Sequence, residues 1–544
     1  MPSINQTIHG NCHGLKASEL HQLERLYRRR MGRGEWISPE AARQLTEVSH
    51  RLGRQVGLLI ARDGKVTHVI LGDQRQITIP QLEKYRVGPQ RLKGLRLVHT
   101  HLRGEPLSKD DLADLALLRL DLIAALTLTP DGLPGEASIA HLQPAGAEEA
   151  PYAVLPTVHF HSMDLDFDAF IEELEGSLRA AFDAVAVGRQ EGAVLLGIFP
   201  PATDSDDAMD ELAALCRACG LTPVERVVQH RGKADPKTVF GSGKMVEVIS
   251  TALHRGATTL VFHQDLTPAQ VKEITALSEL KVLDRTQVIL DIFARQAGTR
   301  AAKLRVELAQ LTYLKPRLVG LSPQLSRLGG GIGTRGPGET KLEVDRRRID
   351  ARIAHLTRQL ASLAADQQLR RGKRLKAGLP ILSIVGYTNV GKTTLLNALT
   401  QSVCLAADRP FATLDTASRR LRFPREREVL ITDTVGFIRD LPPALFGSFK
   451  ATLDELADAD LLLHVVDCSA PDFRAQIEAV DGVLEELGLV AVPRLLVFNK
   501  IDRLDPARAG HLCREWRAIG VAAVDRGSLG SLTAALEARL FAAA

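Results

Sequence analysis

The sequence predicts an α/β protein of several domains, and three observations predict it. Short apolar runs typical of buried strands alternate with helical patterns along most of the chain. One of these runs, 382–385, leads through a glycine-rich turn into a helical pattern. A third stretch, 341–369, repeats its apolar residues at intervals of four and three, as helices that pack side by side do. At 544 residues, with 45% hydrophobic and 25% charged side chains, the chain can bury three or more separate cores.

Residues 1–190 predict an additional N-terminal α/β domain. Two strand patterns, 56–61 and 66–71, separated by Asp63 and Gly64 indicate a β-hairpin, and two further strands are predicted at 95–98 and 123–128. The patterns establish a fold class for this domain and leave its role open.

His99 and His101 stand at a predicted strand end, and Ser108 and Asp111 open the helix that follows. Two neutral imidazoles and a carboxylate could hold a zinc ion and leave one position open for water. The pattern resembles the zinc site of the JAB/MPN metallo-isopeptidase family. However, the gap from His101 to Ser108 is one residue shorter here, and no glutamate stands in the general-base position. The other interpretation is a helix capping box between Ser108 and Asp111 beside two ordinary histidines.

Other histidines and cysteines are interpreted as structural. His159 and His161 fall on a predicted strand and are expected to be a surface pair. Cys216 and Cys219 lie inside a helical pattern without a second pair to complete a zinc site, so we expect them in a core. Six scattered cysteines do not make a disulfide framework, which fits a reducing compartment.

Residues 191–290 predict a small parallel α/β domain. Its strands are expected at 193–199, 221–229, 259–263 and 281–283, and its helices at 209–219, 244–254 and 268–277. Residues 291–376 follow as a helical hairpin. Its two long helices are expected at 288–314 and 341–369, antiparallel and joined by a glycine-rich loop.

The hairpin region is strongly basic. Between Arg295 and Lys376 the chain has 19 Lys or Arg and 6 Asp or Glu, a local charge of +13, so the rest of the chain, with +4 in total, carries −9. A localised basic block is typical of a nucleic-acid surface. The candidate RNA-binding residues at the hairpin tip are Arg335, Lys341, Arg346, Arg347 and Arg348. The alternatives are a flexible tether and a solvated helix face.

Residues 377–544 predict the nucleotide domain. The stretch Gly386, Tyr387, Thr388, Asn389, Val390, Gly391, Lys392, Thr393 and Thr394 has the pattern G-x-x-x-x-G-K-T between a strand and a helix, which indicates a phosphate loop. Its backbone amides and the helix N-terminus favour a phosphate chain. Lys392 is expected at the β- and γ-phosphates and Thr393 at Mg²⁺.

Later motifs complete a GTP site. Thr413, in a polar loop, is a candidate switch residue that reaches Mg²⁺ in the triphosphate state. Asp433 ends a strand and is expected to hold the metal, and the Gly436 amide to sense the γ-phosphate. Asn499, Lys500 and Asp502 follow another strand, and the Asp502 carboxylate matches the donors of guanine.

Two positions bear on hydrolysis. Phe437 stands where Ras-like GTPases usually carry a glutamine that orients the attacking water, so we expect slow intrinsic hydrolysis. Asn389 resembles the asparagine of potassium-dependent GTPases, which predicts that K⁺ assists turnover. Together with Lys392, Thr413 and Gly436, Asn389 forms the predicted catalytic set.

These motifs and those before them resemble the HflX family. The resemblance rests on 235–244 (DPKTVFGSGK), 284–293 (DRTQVILDIF), 333–343 (GTRGPGETKLE), 386–394 (GYTNVGKTT), 411–415 (FATLD), 433–442 (DTVGFIRDLP) and 499–502 (NKID). The usual Ser-Ala motif of the guanine loop is not visible, and Val524, Asp525 and Arg526 stand near its place.

The resemblance implies a GTPase that binds the large ribosomal subunit and its rRNA, splits stalled or idle ribosomes, and leaves after hydrolysis. The expected architecture is a P-loop GTPase G domain preceded by the small parallel α/β domain with its long antiparallel helical hairpin, plus the additional N-terminal α/β domain. The expected cofactors are GTP, Mg²⁺ and K⁺.

Further expectations concern location and alternatives. No apolar run is long enough for a membrane span, so we expect a cytoplasmic protein, with peripheral membrane association as a second location. A separate expectation is that the protein is a monomer. One alternative function is a GTP-controlled regulator of a non-ribosomal RNA-processing partner. Another is a zinc hydrolase in the N-terminal domain, regulated by the GTPase.

Overall fold

The computed structural model describes residues 8–80, 82, 91–144, 151–186, 191–278, 280–318, 341–375, 379–400, 417–423, 427–433, 436–437 and 454–541. The chain forms two units, which are considered separately. The first contains Met1–Thr203, Leu221–Phe262 and Glu273–Val282, and the second contains Asp204–Gly220, His263–Lys272 and Leu283–Ala544.

An eight-stranded mixed sheet forms the N-terminal part of the first unit, as expected for an α/β domain. Its strands are β1 (His9–Gly10), β2 (Val56–Ala61), β3 (Val66–Leu71), β4 (Leu95–His101), β5 (Ile123–Leu128), β6 (Pro134–Leu142), β7 (Tyr152–Val154) and β8 (Val158–His159). The order is β1-β3-β2-β4-β5-β6-β7, and β8 pairs with β6. The predicted hairpin is present, because β2 runs antiparallel to β3 and Gly64 takes a φ of 80° between them.

Among the described residues, four helices accompany this sheet: α1 (Ala17–Leu26), α2 (Pro39–Leu52), α3 (Lys109–Leu118) and α4 (Phe167–Ala186). The ends of α2 follow from its sequence, since the Ser38 hydroxyl accepts from the Ala41 amide and Gly53 ends the helix in a left-handed conformation. The sheet contributes buried residues such as Leu58, Val98 and Leu126 to a common core with α2 and α4. His161 falls in a 3-10 turn after β8, so the prediction that it lies on a strand is wrong.

The four-stranded sheet that follows has the β/α alternation predicted from the sequence. Its strands are β9 (Glu191–Phe199), β10 (Leu221–His230), β11 (Thr259–Phe262) and β12 (Lys281–Asp284), in the order β10-β9-β11-β12. Both β10 and β11 run parallel to β9. The intervening helices are α5 (Asp206–Ala218), α6 (Ser242–His254) and α7 (Pro268–Leu277).

The helical region of the second unit differs from the prediction in one respect. Instead of one helix over 288–314, the structure has α8 (Arg285–Gln296) and α9 (Arg300–Leu314). The break has a local cause, because Gly298 disfavours a helix interior and Thr299 caps α9 by accepting from the Ala302 amide at 3.1 Å.

Helix α9 packs against α10 (Lys341–Leu375) as the predicted hairpin. Arg352 forms two hydrogen bonds to Glu307, and Lys315 lies 2.5 Å from Asp350. The later residue of the first segment thus pairs with the earlier residue of α10. This order makes the two helices antiparallel. The predicted seam is only partly closed, since Leu356 is fully buried and the other seam residues of α10 are half-buried.

A six-stranded sheet forms the nucleotide domain. Its strands are β13 (Ile381–Val385), β14 (Ala417–Arg422), β15 (Glu428–Asp433), β16 (Leu461–Asp467), β17 (Arg494–Asn499) and β18 (Ile519–Gly520), in the order β14-β15-β13-β16-β17-β18. All neighbouring pairs are parallel except β14 with β15. The helices are α11 (Lys392–Thr400), α12 (Phe473–Glu486), α13 (Pro506–Glu515) and α14 (Gly530–Phe541). Among the described helices, none is both long and apolar enough to cross a bilayer.

Candidate nucleotide-binding site

The phosphate loop joins the carboxyl end of the central strand β13 to the N-terminus of α11, as predicted. In open parallel sheets, ligands bind at this edge. Gly386 has a φ of 153°, and a Cβ added there would lie 2.2 Å from the Val465 carbonyl oxygen. Gly391 has a φ of 93°, and its Cβ would lie 2.4 Å from Asn499 Nδ2. Glycine is therefore required at both positions by backbone conformation and by the close approach of neighbouring atoms.

Lys392 is buried inside this loop. Its Nζ donates to the carbonyl oxygens of Gly386 at 3.1 Å and Tyr387 at 2.6 Å. Burial lowers the pKa of Lys392 to about 8, and the Asp433 carboxylate opposes that shift. A Cβ on Gly436 would lie 2.8 Å from this Nζ, so the predicted lysine and the predicted γ-phosphate sensor are neighbours.

Thr393 and Asp433 meet at the end of β15. The Thr393 hydroxyl donates to Asp433 Oδ2 at 2.7 Å, and Asp433 is fully buried. A hydroxyl and a carboxylate side by side are the hard oxygen donors that Mg²⁺ prefers, so these residues fit the metal that a triphosphate brings. Thr413, the third predicted metal residue, lies outside the described residues.

The guanine motif contacts the phosphate loop directly. Asn499 Nδ2 donates to the Val390 carbonyl at 2.8 Å, while its Oδ1 accepts from the Ala523 amide at 2.9 Å. Lys500 takes a φ of 62°, and its Nζ donates to the Asn389 carbonyl at 3.0 Å. The side chains of Asn499, at the end of β17, and of Lys500, directly after it, thus brace the loop that follows β13.

The predicted guanine-selecting residue is Asp502. It is exposed, in a 3-10 turn that runs Ile501–Arg503 directly after Lys500. An exposed carboxylate at this edge can accept from the two neighbouring N–H donors that guanine offers and adenine lacks.

Two contributors to this corner were not singled out from the sequence. Asp467 ends β16, and its Oδ2 lies 2.7 Å from Lys500 Nζ. The backbone amide that donates to Asn499 belongs to Ala523. The next residue, Val524, stands where the sequence analysis placed the guanine loop, and it is 79% exposed. Asp467 could have been predicted from the sequence, because it is a carboxylate directly after an apolar run that predicts a strand. Ala523 could not, because it contributes only its backbone amide, which any residue except proline could supply.

Three family models match this chain. Residues 206–294 match the model described as GTP-binding GTPase N-terminal, residues 296–374 the GTP-binding GTPase middle region, and residues 381–500 a 50S ribosome-binding GTPase. GTPase HflX of Caldanaerobacter subterraneus subsp. tengcongensis is 44% identical over 352 residues, which are 65% of this chain and 81% of that protein. GTPase HflX of Escherichia coli K12 is 43% identical over 324 residues, or 60% of this chain and 76% of that protein.

The chain belongs to the HflX family of GTPases. Its nucleotide is GTP, and its reaction is GTP hydrolysis. Among solved structures, a GTP-binding protein from Sulfolobus solfataricus in complex with GDP aligns with 64% of this chain and 100% of its own, with 24% sequence identity and a TM-score of 0.36. None of the three family models covers the first 205 residues.

In this HflX-family chain, Phe437 offers no group to the reacting water. It is 2% exposed and packs in a core cluster with Val385 and Leu462. Its backbone instead holds the phosphate loop, accepting from the Thr388 amide at 2.8 Å and donating to the Gly386 carbonyl at 3.1 Å. The slow intrinsic hydrolysis expected from the sequence stays a prediction; the structure adds that this side chain packs in the core.

The predicted RNA-binding residues are only partly described. Arg346, Arg347 and Arg348 are exposed near the start of α10. Lys341 begins that helix, but its side chain is outside the described set, and Arg335 lies outside the described residues altogether.

Proposed function

We propose that this GTPase binds the large ribosomal subunit through its rRNA and uses GTP binding and hydrolysis to control that association, splitting or rescuing stalled or idle ribosomes. The observation that carries the proposal is the combination, in one chain, of a GTP site with a basic antiparallel helical arm. The description of the model matched by residues 381–500, a 50S ribosome-binding GTPase, supports the same partner.

The arm is built to present charge. Arg346, Arg347 and Arg348 are consecutive and exposed on α10, and residues 295–376, which contain them, have a net charge of +13. A cluster of arginines facing solvent fits the phosphate backbone of RNA, where affinity comes from neutralised phosphates.

The base of the arm is firmly fixed. Asp284, which caps α8, is fully buried and accepts from the Tyr313 hydroxyl at 2.6 Å and from Arg317 Nη2 at 3.0 Å. The Arg317 guanidinium also stacks 3.5 Å from the centre of the Tyr313 ring. This buried network joins the end of α9 to the start of α8, so a movement at the base of the arm would be transmitted along it.

At the nucleotide, Lys392 supplies positive charge to the β- and γ-phosphates, and Gly436 supplies a backbone amide beside it. Thr393 and Asp433 would hold Mg²⁺, which would neutralise charge on the phosphate oxygens during transfer. The exposed Asn389, with a left-handed φ of 62°, is the residue proposed to admit K⁺ beside the phosphates. In this mechanism the bound subunit stimulates hydrolysis, because the buried, apolar Phe437 side chain cannot orient the attacking water.

Co-sedimentation with purified ribosomal subunits tests the proposal. The protein is pelleted with large subunits, small subunits and intact ribosomes in a GTP analogue, in GDP and without nucleotide. We expect binding to the large subunit with the GTP analogue, release with GDP, and stimulation of GTP hydrolysis by the large subunit. Equal binding in all three nucleotide states, or no stimulation by large subunits, would favour the alternative of a non-ribosomal RNA partner.

A further inference from the structure

Outside the nucleotide site, the first unit brings three side chains of metal-binding type to one point. His99 and His101 lie on β4, where residues two apart project to the same face of the sheet. Asp111 lies in the first turn of α3. His99 is fully buried, His101 is 3% exposed and Asp111 is 9% exposed. All three precede residue 206, where the family-matched part of the chain begins.

The spacing of the donor atoms matches a coordination shell. His99 Nε2 lies 3.0 Å from His101 Nε2 and 3.2 Å from Asp111 Oδ1, and His101 Nε2 lies 3.5 Å from Asp111 Oδ2. With metal–ligand distances of about 2.0–2.1 Å, the edges of a tetrahedron are about 3.3 Å long. The three separations lie on both sides of that value, so one ion can reach all three atoms with little movement.

The orientation of these groups is set by a second layer of contacts. His101 Nδ1 lies 2.9 Å from the Glu105 carbonyl oxygen, an acceptor, so Nδ1 carries the proton and the Nε2 lone pair faces the cluster in the neutral ring. Asp111 Oδ2 accepts from the Ser108 amide and from the Ser108 hydroxyl, each at 2.7 Å. Such outer hydrogen bonds are what hold metal ligands in place.

We propose that His99, His101 and Asp111 bind one zinc ion. The capping box predicted from Ser108 and Asp111 is present, but it accounts only for the contact between α3 and its own N-terminus. It does not explain two imidazole nitrogens directed at each other and at the same carboxylate. Two imidazoles among the ligands favour a transition metal over Mg²⁺ or Ca²⁺, and two imidazoles with one carboxylate are a donor set of zinc sites that keep a water ligand.

Within the described part of the chain, three side chains converge on the site, which leaves one position of a tetrahedral zinc shell open. In zinc proteins this arrangement holds a water molecule whose pKa the metal lowers, whereas purely structural sites are closed by four protein ligands. The ligand class of the fourth position is therefore water or an oxygen of a bound substrate. This inference goes beyond the proposed ribosomal function and does not depend on it.

Metal analysis of the full-length protein tests the site. The protein is saturated with zinc, desalted and measured by mass spectrometry for bound metal. We expect one zinc equivalent in the native sequence and loss of that equivalent in His99→Ala and His101→Ala. The matched control is His159→Ala with His161→Ala, because this exposed His-x-His pair lies in the same unit and should leave the zinc content unchanged. Ser108→Ala should weaken zinc binding about 10- to 100-fold by freeing the carboxylate of Asp111.

A second measurement covers the case in which an alanine variant fails to fold. Cobalt(II) added to the metal-free native protein should give the visible absorption of a tetrahedral site, and zinc should abolish it. Asp111→Asn keeps the side-chain size and should lose this spectrum. Native protein with no more zinc than the His99 variant and no cobalt spectrum would overturn the proposal, as would equal zinc loss in the His159 and His161 control. One equivalent of iron with no zinc would overturn the assignment of the metal.

Discussion

Tyr387, inside the phosphate loop, donates a hydrogen bond from its hydroxyl to Glu211 Oε2, although the two residues are 176 positions apart in the chain. The other oxygen of Glu211 accepts from Arg285 Nη2 at 2.7 Å. Glu211 lies on α5 and Arg285 begins α8, the helix whose N-terminus anchors the arm. Within the second unit, the loop that contacts the nucleotide is therefore linked by side chains to the base of the basic helices.

The first prediction tests this link. Tyr387→Phe removes the hydroxyl but keeps the ring, and the lost hydrogen bond, about 1 kcal/mol, should speed GDP dissociation about fivefold. The measurement is stopped-flow release of a fluorescent GDP analogue. Tyr27→Phe is the matched control, because that hydroxyl accepts from the Val69 amide in the first unit. Equal dissociation rates in the two variants would refute a role for the Tyr387 contact.

The second prediction concerns the shape of the phosphate loop. Gly391→Ala places a Cβ 2.4 Å from Asn499 Nδ2 at a backbone φ of 93°, so the loop must distort and the Asn499 brace must move. We expect GDP affinity to fall about tenfold or more, since strained backbone alone costs about 1–3 kcal/mol. Gly482→Ala is the control, because it lies in α12 with no atom within 4 Å of the added Cβ. Fluorescence titration that finds unchanged affinity in Gly391→Ala would contradict the model of the loop.

The third prediction concerns the basic arm. Reversing Arg346, Arg347 and Arg348 to glutamate should weaken binding to large subunits. The slope of the logarithm of the binding constant against the logarithm of the salt concentration should become less steep by roughly 2, because fewer phosphates are neutralised. GTP affinity should not change. The same reversal at 28–30, an exposed arginine triplet in the first unit, controls for total charge. If both triple variants bind equally well at every salt concentration, the arm is not the RNA contact.

The fourth prediction concerns the monovalent cation. GTP hydrolysis should be several-fold faster in potassium than in sodium buffer, and Asn389→Ala should remove that difference. Asn11→Ala, also exposed but in the first unit, should retain it. Equal rates of the native protein in the two salts would rule out K⁺ assistance through Asn389.

The fifth prediction follows from a buried histidine in the nucleotide domain. Burial, followed by the positive charges of Arg494 and Lys392, lowers the pKa of His464 to about 3. In the unfolded chain its pKa is about 6.5, so protonation favours unfolding. The stability that neutral His464 permits is present above pH 6.5 and is lost as the pH falls toward 3.

Between pH 7 and 5.5 this difference amounts to about 1 kcal/mol of unfolding free energy. His464→Leu should remove that part of the pH dependence. With only two tryptophans in the chain, Trp516 fluorescence in a Trp36→Phe background reports on the nucleotide domain alone during urea unfolding. His511→Leu, an exposed histidine of the same domain, should keep the native dependence. If the unfolding free energies of native and His464→Leu protein change equally with pH, His464 is not the source of the pH dependence.

Much of the fold followed from short stretches of sequence. Strand β2, strand β3 and helix α7 begin and end where their apolar patterns and turn residues predicted. The single long helix over 288–314 was a wrong prediction, since its apolar period continues across Gly298 and Thr299, and periodicity does not register a capping residue. The edge strand β14 was missed, because Arg419, Arg420 and Arg422 interrupt any apolar pattern.

The sequence by itself determined the phosphate loop, the guanine motif and the basic arm. Each of these is a contiguous run of residues, and local geometry or local charge suffices to define it. Tertiary structure alone decided that Ala523 completes the guanine corner and that Glu211 holds Tyr387. It also decided that His99, His101 and Asp111 converge, which the sequence offered as one of two interpretations. These contacts depend on strand register and on how helices pack. Both bring together segments that are far apart in the sequence, and sequence separation does not determine distance in space.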